Sequence, residues 1–247
     1  MNLSVIILAA GQGTRMKSAL PKVMHRLAGI PMLEHVYNRS IELGTDDIHI
    51  VYGHGGEHLH EYCSDFKVEW VLQDVQLGTA HAVLQASPNI NDDRTVLVLY
   101  GDVPLIKSAT LHALIDNVST DTLALLTVKL DDPGGYGRII RENNDVVAIV
   151  EHKDASEEQR KIKEVNTGIL ALQAGYLNQC LNKIDNNNVQ GEYYLTDIIE
   201  MAVNDGKKVL TTQPENTYEV EGVNDRNQLA RLERIKQREL AETIMAG

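Results

Sequence analysis

The residues best suited to chemistry lie near the start of the chain, where an apolar run leads into a turn of mostly small residues. Val5–Leu8 has the β-branched, apolar composition of a strand that is buried on both faces. The small residues among positions 9–13 would let backbone N–H groups approach a ligand, and a row of such groups binds anions. Arg15 and Lys22 add two positive charges just beyond the turn. This combination predicts a site for a nucleoside triphosphate.

Two common phosphate-binding motifs do not fit this turn. The dinucleotide motif G-x-G-x-x-G would need a third glycine where Met16 stands, and the P-loop motif G-x-x-x-x-G-K-[ST] does not occur. An ordinary tight turn between a strand and a helix is the alternative for a lone G-x-G. The longer string L-A-A-G-x-G-T-R-M, followed by P-K at Pro21 and Lys22, is far more specific.

A second stretch presents a carboxylate after another buried strand. The apolar run Val96–Leu99 leads through Tyr100 and Gly101 to Asp102. Mg²⁺ in proteins is held by one or two carboxylates together with substrate phosphates, so Asp102 is a candidate metal ligand. A turn residue or helix cap before Pro104 is the alternative, and the glycine turn described above favours the metal.

Gln73 follows a third strand-like run and is a candidate for reading a nucleobase. A side-chain amide offers a donor and an acceptor, so it can pair with uracil or, when flipped, with cytosine. Gly78 would allow the backbone to approach the base, and Thr79 begins a helix. A solvated loop residue is the alternative for Gln73 alone.

Further segments could contact a sugar. The glycine-rich stretch 133–139 predicts a hairpin loop whose backbone lies against a ligand. Glu151 and Asn166 supply a carboxylate and an amide, the kinds of group that bind sugar hydroxyls. Turns or solvated charged groups are the alternatives for these segments.

A group of histidines suggests a metal site that we discount. His54, His58 and His60 lie close to Cys63, but their spacing fits no common zinc pattern, and structural zinc usually takes cysteine pairs. We expect the start of a solvated helix here.

The composition excludes several classes of partner. With 23 Lys and Arg against 35 Asp and Glu, the net charge is −12, so we expect no nucleic-acid partner and no membrane partner. The N-terminal apolar run is too short to cross a bilayer and lacks a basic leader. Cys63 and Cys180 are far apart in sequence, as is typical of free thiols in a reducing compartment, so we expect a cytoplasmic protein.

The elements that must position these residues alternate along the chain. An early β-α-β-α-β order predicts an α/β fold, a Rossmann-like and mainly parallel sheet with flanking helices, with ligands at the carboxyl ends of the strands. The strand candidates are 4–8, 48–51, 68–72, 95–99, 123–129, 137–140, 146–151 and 167–172. The helix candidates are 32–43, 79–85, 108–118, 157–162, 195–205 and a last helix that Asn224-Asp225 can cap and that runs to about Ala246.

Motifs along nearly the whole chain resemble those of sugar-nucleotide pyrophosphorylases, which join a nucleoside triphosphate to a sugar 1-phosphate. From residue 8 to residue 226 they are LAAGQGTRM, PKVMH, QLGTAHA, LYGDVPL, GYGRI, EHKDA, VNTGI, GEYYLTDII and EGVNDR. The last two are most similar to the uridylyltransferase domains of bifunctional bacterial enzymes that make UDP-N-acetylglucosamine. The resemblance implies a fold of the nucleotide-diphospho-sugar transferase type.

The resemblance also implies a role for each matching residue. Catalytic roles fall to Arg15, Lys22 and Asp102. Mg²⁺ would be bound by Asp102 and Asn224. The uridine would be held by Ala10, Gly11, Gln73, Gly78 and Thr79, and the triphosphate by Gly13, Thr14, Arg15 and Lys22. The N-acetylglucosamine moiety would be contacted by Gly137, Glu151, Asn166 and Thr196, with Leu8, Ala9, Tyr100, Gly101 and Asn224 as further substrate-binding residues.

The implied activity is Mg²⁺-dependent transfer of UMP from UTP to N-acetylglucosamine 1-phosphate, which gives pyrophosphate and UDP-N-acetylglucosamine, a precursor of peptidoglycan and lipopolysaccharide. A pyrophosphorylase for another sugar 1-phosphate, such as glucose, is one alternative. A silent nucleotide-sugar-binding relative is another, although it would be expected to lose Lys22, Asp102 or Asn224. We expect a pyrophosphorylase domain at 1–226 and a linker helix at 227–247. The sequence has no hexapeptide repeats of an acetyltransferase β-helix, and a trimer is expected only where such a β-helix is present.

Overall fold

A computed structural model describes residues 2–11, 13–53 and 56–246. Nine strands form one mixed sheet: β1 (Leu3–Leu8), β4 (Ile48–Tyr52), β5 (Glu69–Leu72), β6 (Thr95–Tyr100), β7 (Thr122–Lys129), β8 (Arg138–Glu142), β9 (Asp145–Val150), β10 (Glu164–Gln173) and β11 (Lys208–Thr212). The order of its main path is β11-β7-β10-β6-β1-β4-β5, and β8 and β9 extend the sheet beside β10. A separate two-stranded ribbon is formed by β2 (Arg26–Leu27) and β3 (Ile30–Pro31).

The half of the sheet that carries the glycine turn is parallel. Strand β1 pairs in parallel with β4 and β6, and β4 pairs in parallel with β5, so the carboxyl ends of these strands meet at one edge. Strand β10 runs antiparallel to both β6 and β7, and β11 is parallel to β7. The predicted α/β fold with a mostly parallel sheet and flanking helices is confirmed.

Helices cover both faces of the sheet because successive strand residues point to opposite sides. In β1, Val5 and Ile7 pack in one core cluster with residues of α1 and α4, whereas Ile6 packs on the other face with residues of α3, α6 and α7. The helices are α1 (Met32–Glu42), α2 (Glu57–Tyr62), α3 (Thr79–Ala86), α4 (Ser108–Ile115), α5 (Glu157–Arg160), α6 (Ala174–Leu181), α7 (Asp197–Asn204) and α8 (Arg226–Ala246). None of the helices in the described part of the chain is long and apolar enough to cross a membrane.

The stretch 133–139 differs from its prediction as a hairpin. Strands β7 and β8 do not pair with each other, since both pair with β10 instead. The hairpin is formed one strand later, between β8 and β9, where Asn143 and Asn144 adopt positive φ angles of 49° and 73°. Asparagine tolerates this conformation, so the Asn-Asn pair is the turn signal that the glycines obscured.

Helix α8 is capped as predicted and attaches to the rest of the chain by its first half. The Asp225 carboxylate accepts hydrogen bonds from the backbone N–H groups of Asn227 (2.8 Å) and Gln228 (2.9 Å). Leu232 is fully buried in a small cluster that also contains Met16 and Val223. This packing joins the last helix to the segment that follows the glycine turn.

The histidine-rich segment does form a helix, α2, although His54 lies outside the described residues. The His60 ring packs 4.6 Å from the Tyr52 ring and 4.5 Å from the Trp70 ring, measured between centroids. The Cys63 thiol is buried, and burial raises its pKa to about 11. The His60 and Cys63 side chains are therefore engaged in packing.

Candidate active site

A cleft opens at the carboxyl ends of β1, β5 and β6, where the parallel half of the sheet leads to its loops. It consists of a larger cavity of about 670 Å³ and an adjoining smaller cavity of about 220 Å³, with Thr79, Tyr100 and Tyr136 lining both. The sequence-predicted residues that line the larger cavity are Leu8, Ala9, Ala10, Gly11, Arg15, Lys22, Gln73, Gly78, Thr79, Tyr100, Asp102 and Asn224. Those that line the smaller cavity are Thr79, Tyr100, Gly137, Glu151, Asn166 and Thr196.

Three predicted residues, Gly13, Thr14 and Gly101, line neither cavity. Gly13 adopts a left-handed φ of +60°, and a Cβ atom there would lie 2.6 Å from the Cβ of Lys22. Gly101 is packed so that a Cβ would meet Leu33 and Val23 at 3.2 Å. Thr14 begins a short 3-10 helix, Thr14–Met16, that carries Arg15 into the cleft. Gln12 lies outside the described residues.

A lysine ammonium connects the two residues predicted to bind a metal. The Lys22 Nζ donates to Asp102 Oδ2 and lies 3.5 Å from Asn224 Oδ1. The Arg15 guanidinium donates to the same Asn224 oxygen at 2.9 Å. These residues are distant in sequence, and the fold brings their side chains into one network. A carboxylate oxygen and an amide oxygen thus converge on one positive charge.

The start of α8 is tied to the backbone around this network. The Asn224 N–H donates to Gln228 Oε1 at 2.7 Å, and the Val223 N–H donates to the Asp102 carbonyl at 2.9 Å. Arg226 donates to the carbonyl of Met16 at 3.0 Å and of Lys17 at 3.1 Å. The last helix therefore orients Asn224 and the segment that carries Arg15.

Gln73 is buried at one end of the larger cavity, and its amide is held in one orientation. Its Nε2 donates to the Gly78 carbonyl at 3.2 Å and lies 3.0 Å from His81 Nδ1. A carbonyl oxygen can only accept, so flipping the amide would place two acceptors face to face. The Oε1 atom is consequently left to accept a hydrogen bond from a ligand.

Gly78 allows two distant segments to meet beside Gln73. Its φ is +119°, and a Cβ there would lie 2.5 Å from the Tyr193 carbonyl oxygen. The Ala80 N–H donates to that oxygen at 3.0 Å, and the Leu195 N–H donates to Thr79 Oγ1 at 3.1 Å. The start of α3 is in this way joined to the segment that delivers Thr196.

The smaller cavity is lined by hydrogen-bonding groups that are buried or partly buried. Thr196 Oγ1 donates to Glu151 Oε1 at 3.1 Å, and burial raises the pKa of the Glu151 carboxyl. Asn166 is anchored by its backbone N–H, which donates to the Gly137 carbonyl at 2.9 Å. Burial also raises the pKa of Tyr100, so its phenol stays neutral.

Other residues of the cleft were not singled out from the sequence. Gln76 donates through Nε2 to the Ala10 carbonyl, and Glu192 and Gln228 also line the larger cavity. The spacing of Gln228, one helical turn after Asn224, could have indicated a contact between the two. Gln76 lies in the QLGTAHA motif and Glu192 in the GEYYLTDII motif, but nothing else in the sequence marks either residue as part of a site.

A comparison with protein families identifies the family of this chain. Residues 5–163, well over half of the chain, match the model of the MobA-like NTP transferase domain. The chain belongs to this family. The matched region of this MobA-like nucleotidyltransferase includes the glycine turn, Gln73 and Asp102.

Solved nucleotidyltransferase structures share the fold of this MobA-like domain. A UDP-glucose pyrophosphorylase bound to UDP-glucose superposes with a TM-score of 0.78 at 16% identity, and the match covers 97% of this chain and 100% of that one. A nucleotidyl transferase from Methanothermobacter thermautotroptrophicus superposes with a TM-score of 0.69 at 20% identity, covering 96% and 98%. At such identities the likeness shows the fold alone.

Proposed function

We propose that this nucleotidyltransferase transfers UMP from UTP to N-acetylglucosamine 1-phosphate and releases UDP-N-acetylglucosamine and pyrophosphate. One observation carries the proposal: Arg15, Lys22, Asp102 and Asn224 meet in the cavity that Gln73 also lines, and the smaller cavity at Glu151 adjoins it. A charged centre that shares a cleft with a buried amide and a second polar cavity matches a substrate pair that carries phosphates, a base and a sugar.

The chemistry requires charge stabilisation rather than a general base. An oxygen of the sugar 1-phosphate attacks the α-phosphorus of UTP, and the bond to pyrophosphate breaks on the opposite side. The nucleophile is already an anion, so the main obstacle is repulsion between two negatively charged substrates. Arg15, Lys22 and the open backbone at Gly11 offset that repulsion and hold the reacting groups in line.

The donor set fits a divalent cation of the Mg²⁺ type. Asp102 and Asn224 offer hard oxygen ligands, and their oxygens already share one positive charge in Lys22. No group of three or more His, Cys, Asp or Glu suited to a metal occurs among the described residues, so substrate phosphates would complete the coordination. Such an ion would stabilise charge on the transferring phosphate, and Lys22 would then be free to contact a phosphate oxygen.

The fixed amide of Gln73 supports uracil as the base. Uracil presents an N–H at position 3, which Oε1 of Gln73 can accept, whereas cytosine presents an acceptor there. The bond to the Gly78 carbonyl opposes the flipped amide that cytosine would need. A freely flipping amide could pair with either base. Because the Gln73 amide is fixed, we expect this site to prefer UTP over CTP.

The sugar is assigned through the smaller cavity and the motifs that line it. Glu151, Asn166 and Thr196 offer acceptors and donors to sugar hydroxyls and to an acetamido group. A second candidate is transfer to glucose 1-phosphate, since a structure with the same fold binds UDP-glucose. The GEYYLTD and EGVNDR motifs favour the N-acetylglucosamine substrate.

A pyrophosphate-release assay tests the proposal. UTP, CTP and dTTP are each combined with Mg²⁺ and with the 1-phosphates of N-acetylglucosamine, glucose, galactose and glucosamine. We expect the highest kcat/KM for UTP with N-acetylglucosamine 1-phosphate, and loss of that activity in Asp102→Asn. A higher kcat/KM with glucose 1-phosphate would favour the second candidate, and no release with any pair would refute both.

A further inference from the structure

Arg138, the first residue of β8, is buried without a carboxylate partner. Only 1% of its surface is exposed, and no carboxylate in the described part of the chain lies within ion-pairing distance. Burial lowers the pKa of its guanidinium. A buried charge is costly unless its hydrogen bonds are satisfied, so the contacts that Arg138 makes explain why an arginine can occupy this position.

The guanidinium of Arg138 bonds to the loop just before its own strand and to two positions beyond strand β9. Nη1 donates to the Tyr136 carbonyl, and Nη2 lies 3.4 Å from His152 Nδ1. Nε and Nη2 both point at the Arg160 carbonyl, at 3.4 Å and 3.3 Å. The Arg160 side chain in turn donates to the His152 carbonyl at 3.3 Å. One planar group with five donors thus extends the β8–β9 pairing, which ends at Arg138 and Val150, into the loops beyond the ladder.

Two of the connected positions, Tyr136 and His152, lie at or directly beside the lining of the smaller cavity. Tyr136 lines both cavities, and Gly137 follows it. His152 follows Glu151 directly, so a shift of one moves the other. A Cβ added at Gly137 would lie only 3.3 Å from Glu151 Oε1, which shows how closely the two walls approach. The spacing between these walls decides whether a sugar fits between them.

We propose that Arg138 is the positioning residue of the smaller cavity, which fixes the distance between the Gly137 wall and the Glu151 wall for the sugar phosphate. Arg138 does not touch the substrate, because its donors face protein carbonyls and a histidine ring. The expected effect of Arg138 on binding of the sugar phosphate rests on the proposed function, whereas its expected effect on the order of the two loops does not.

Strand β8 offers a matched control three residues away. Arg141 is exposed, and its guanidinium donates to Glu164 at 2.8 Å and 2.7 Å. Arg141→Met removes the same side chain from the same strand without touching residues 133–137 or 151–155. Arg138→Met and Arg138→Lys then isolate the contribution of the buried guanidinium.

The first measurement compares KM values. We expect Arg138→Met to raise the KM for N-acetylglucosamine 1-phosphate about 10-fold while the KM for UTP changes less than about 2-fold, since positioning is lost only at the sugar. Arg138→Lys should fall between wild type and Arg138→Met, and Arg141→Met should match wild type. Equal increases in both KM values, or none in a folded Arg138→Met protein, would overturn the proposal.

Hydrogen exchange followed by mass spectrometry gives a second measurement that needs no activity. Peptides that cover 133–137 and 151–155 should exchange faster in Arg138→Met, and not in Arg141→Met. If Arg138→Met does not fold, Arg138→Lys is measured in its place, and unchanged exchange in these peptides would contradict the role. A wild-type protein without turnover would refute the proposed function and still leave this comparison decisive for Arg138.

Discussion

At the larger cavity, Lys22 pairs with Asp102 and the exposed Arg15 donates to Asn224, whereas at the smaller cavity the partly buried Glu151 carboxyl accepts a hydrogen bond from the buried Thr196. The first arrangement can exchange partners when an anionic substrate arrives, since solvent screens the charges that are left behind. The second cannot rearrange cheaply, because an unpaired polar group in a buried site is penalised. The larger cavity is therefore suited to charge stabilisation, and the smaller cavity is suited to discrimination between sugars.

Removing the carboxylate of Asp102 is the strongest way to break the charged centre. Asp102→Asn keeps the shape of the side chain but removes the charge that pairs with Lys22. We expect kcat to fall by about 10³-fold or more, and the Mg²⁺ concentration for half-maximal rate to rise. Steady-state rates over a Mg²⁺ titration measure both effects. Near-normal turnover at limiting Mg²⁺ would show that Asp102 is not a metal ligand.

Lys22 should have the next largest effect. Lys22→Ala removes a cation that the fold holds between Asp102 and Asn224, and we expect kcat to fall by about 10²-fold. Lys17→Gln is the matched control, since Lys17 is exposed in the same segment and does not line either cavity. An increase confined to the KM of the sugar phosphate would make Lys22 a binding residue instead.

Glu151 tests the role of the smaller cavity in binding the sugar. Glu151→Gln should raise the KM for N-acetylglucosamine 1-phosphate about 10-fold and leave that for UTP nearly unchanged, because only one carboxylate acceptor is lost. Burial raises the pKa of Glu151, so its ionised form is populated only as the pH rises through that raised value. The KM of wild type relative to that of Glu151→Gln should therefore decrease as the pH rises.

The comparison uses the KM ratio of wild type to Glu151→Gln because the sugar phosphate itself titrates, and its titration affects both proteins alike. Glu158→Gln provides the control, since Glu158 is exposed and pairs with Lys161 at 2.6 Å. A KM ratio that does not change with pH, or equal losses for both substrates, would place Glu151 outside the sugar site.

Gln73 sharpens the comparison within the larger cavity. Gln73→Ala should weaken UTP binding by about 1–3 kcal/mol, the penalty for leaving the polar edge of the base unpaired. It should also reduce the preference for UTP over CTP. His81→Ala should loosen the amide and reduce the preference with a smaller loss of UTP affinity. Relative kcat/KM values for UTP and CTP measure this. An unchanged preference in both variants would show that other groups read the base.

The sequence predicted the strands and loops of the parallel half because their signals are local. Buried β-branched runs and the glycine turn at Gly11 depend on neighbouring residues, and so does the Asp225 cap of the last helix. The mostly parallel sheet follows from the order of these elements. The resemblance brought Asp102 and Asn224 together, and their shared contact with Lys22 agrees with that expectation.

What the sequence did not predict depends on contacts between distant segments. Strand β11 and helix α6 were not assigned, and Thr122–Lys129 pairs with β10 and β11 rather than with β8. The fixed amide of Gln73 requires the Gly78 carbonyl and His81 to lie beside it, which composition cannot reveal. The buried Arg138 is also invisible in sequence, because arginine is ordinarily an exposed residue.

The smallest expected effect concerns stability beside the smaller cavity. Burial, followed by repulsion from neighbouring carboxylates that include Glu151, raises the pKa of Asp197 to about 6. The folded state then binds more protons than the unfolded state between about pH 4 and pH 6, so stability falls as the pH rises through that window. Asp197→Asn removes this penalty and should stabilise the protein at pH 7.5 by about 1 kcal/mol after solvent screening.

Urea unfolding of wild type and Asp197→Asn at pH 4 and pH 7.5 measures the effect, which should vanish at the lower pH. Asp197 also begins α7, where a negative charge favours the helix by about 0.3–1 kcal/mol. If that contribution exceeds the burial penalty, Asp197→Asn will instead be the less stable protein at pH 7.5. Glu200→Gln, one turn later on an exposed face of the same helix, should reduce the difference between the two pH values, because repulsion from Glu200 contributes to the raised pKa of Asp197.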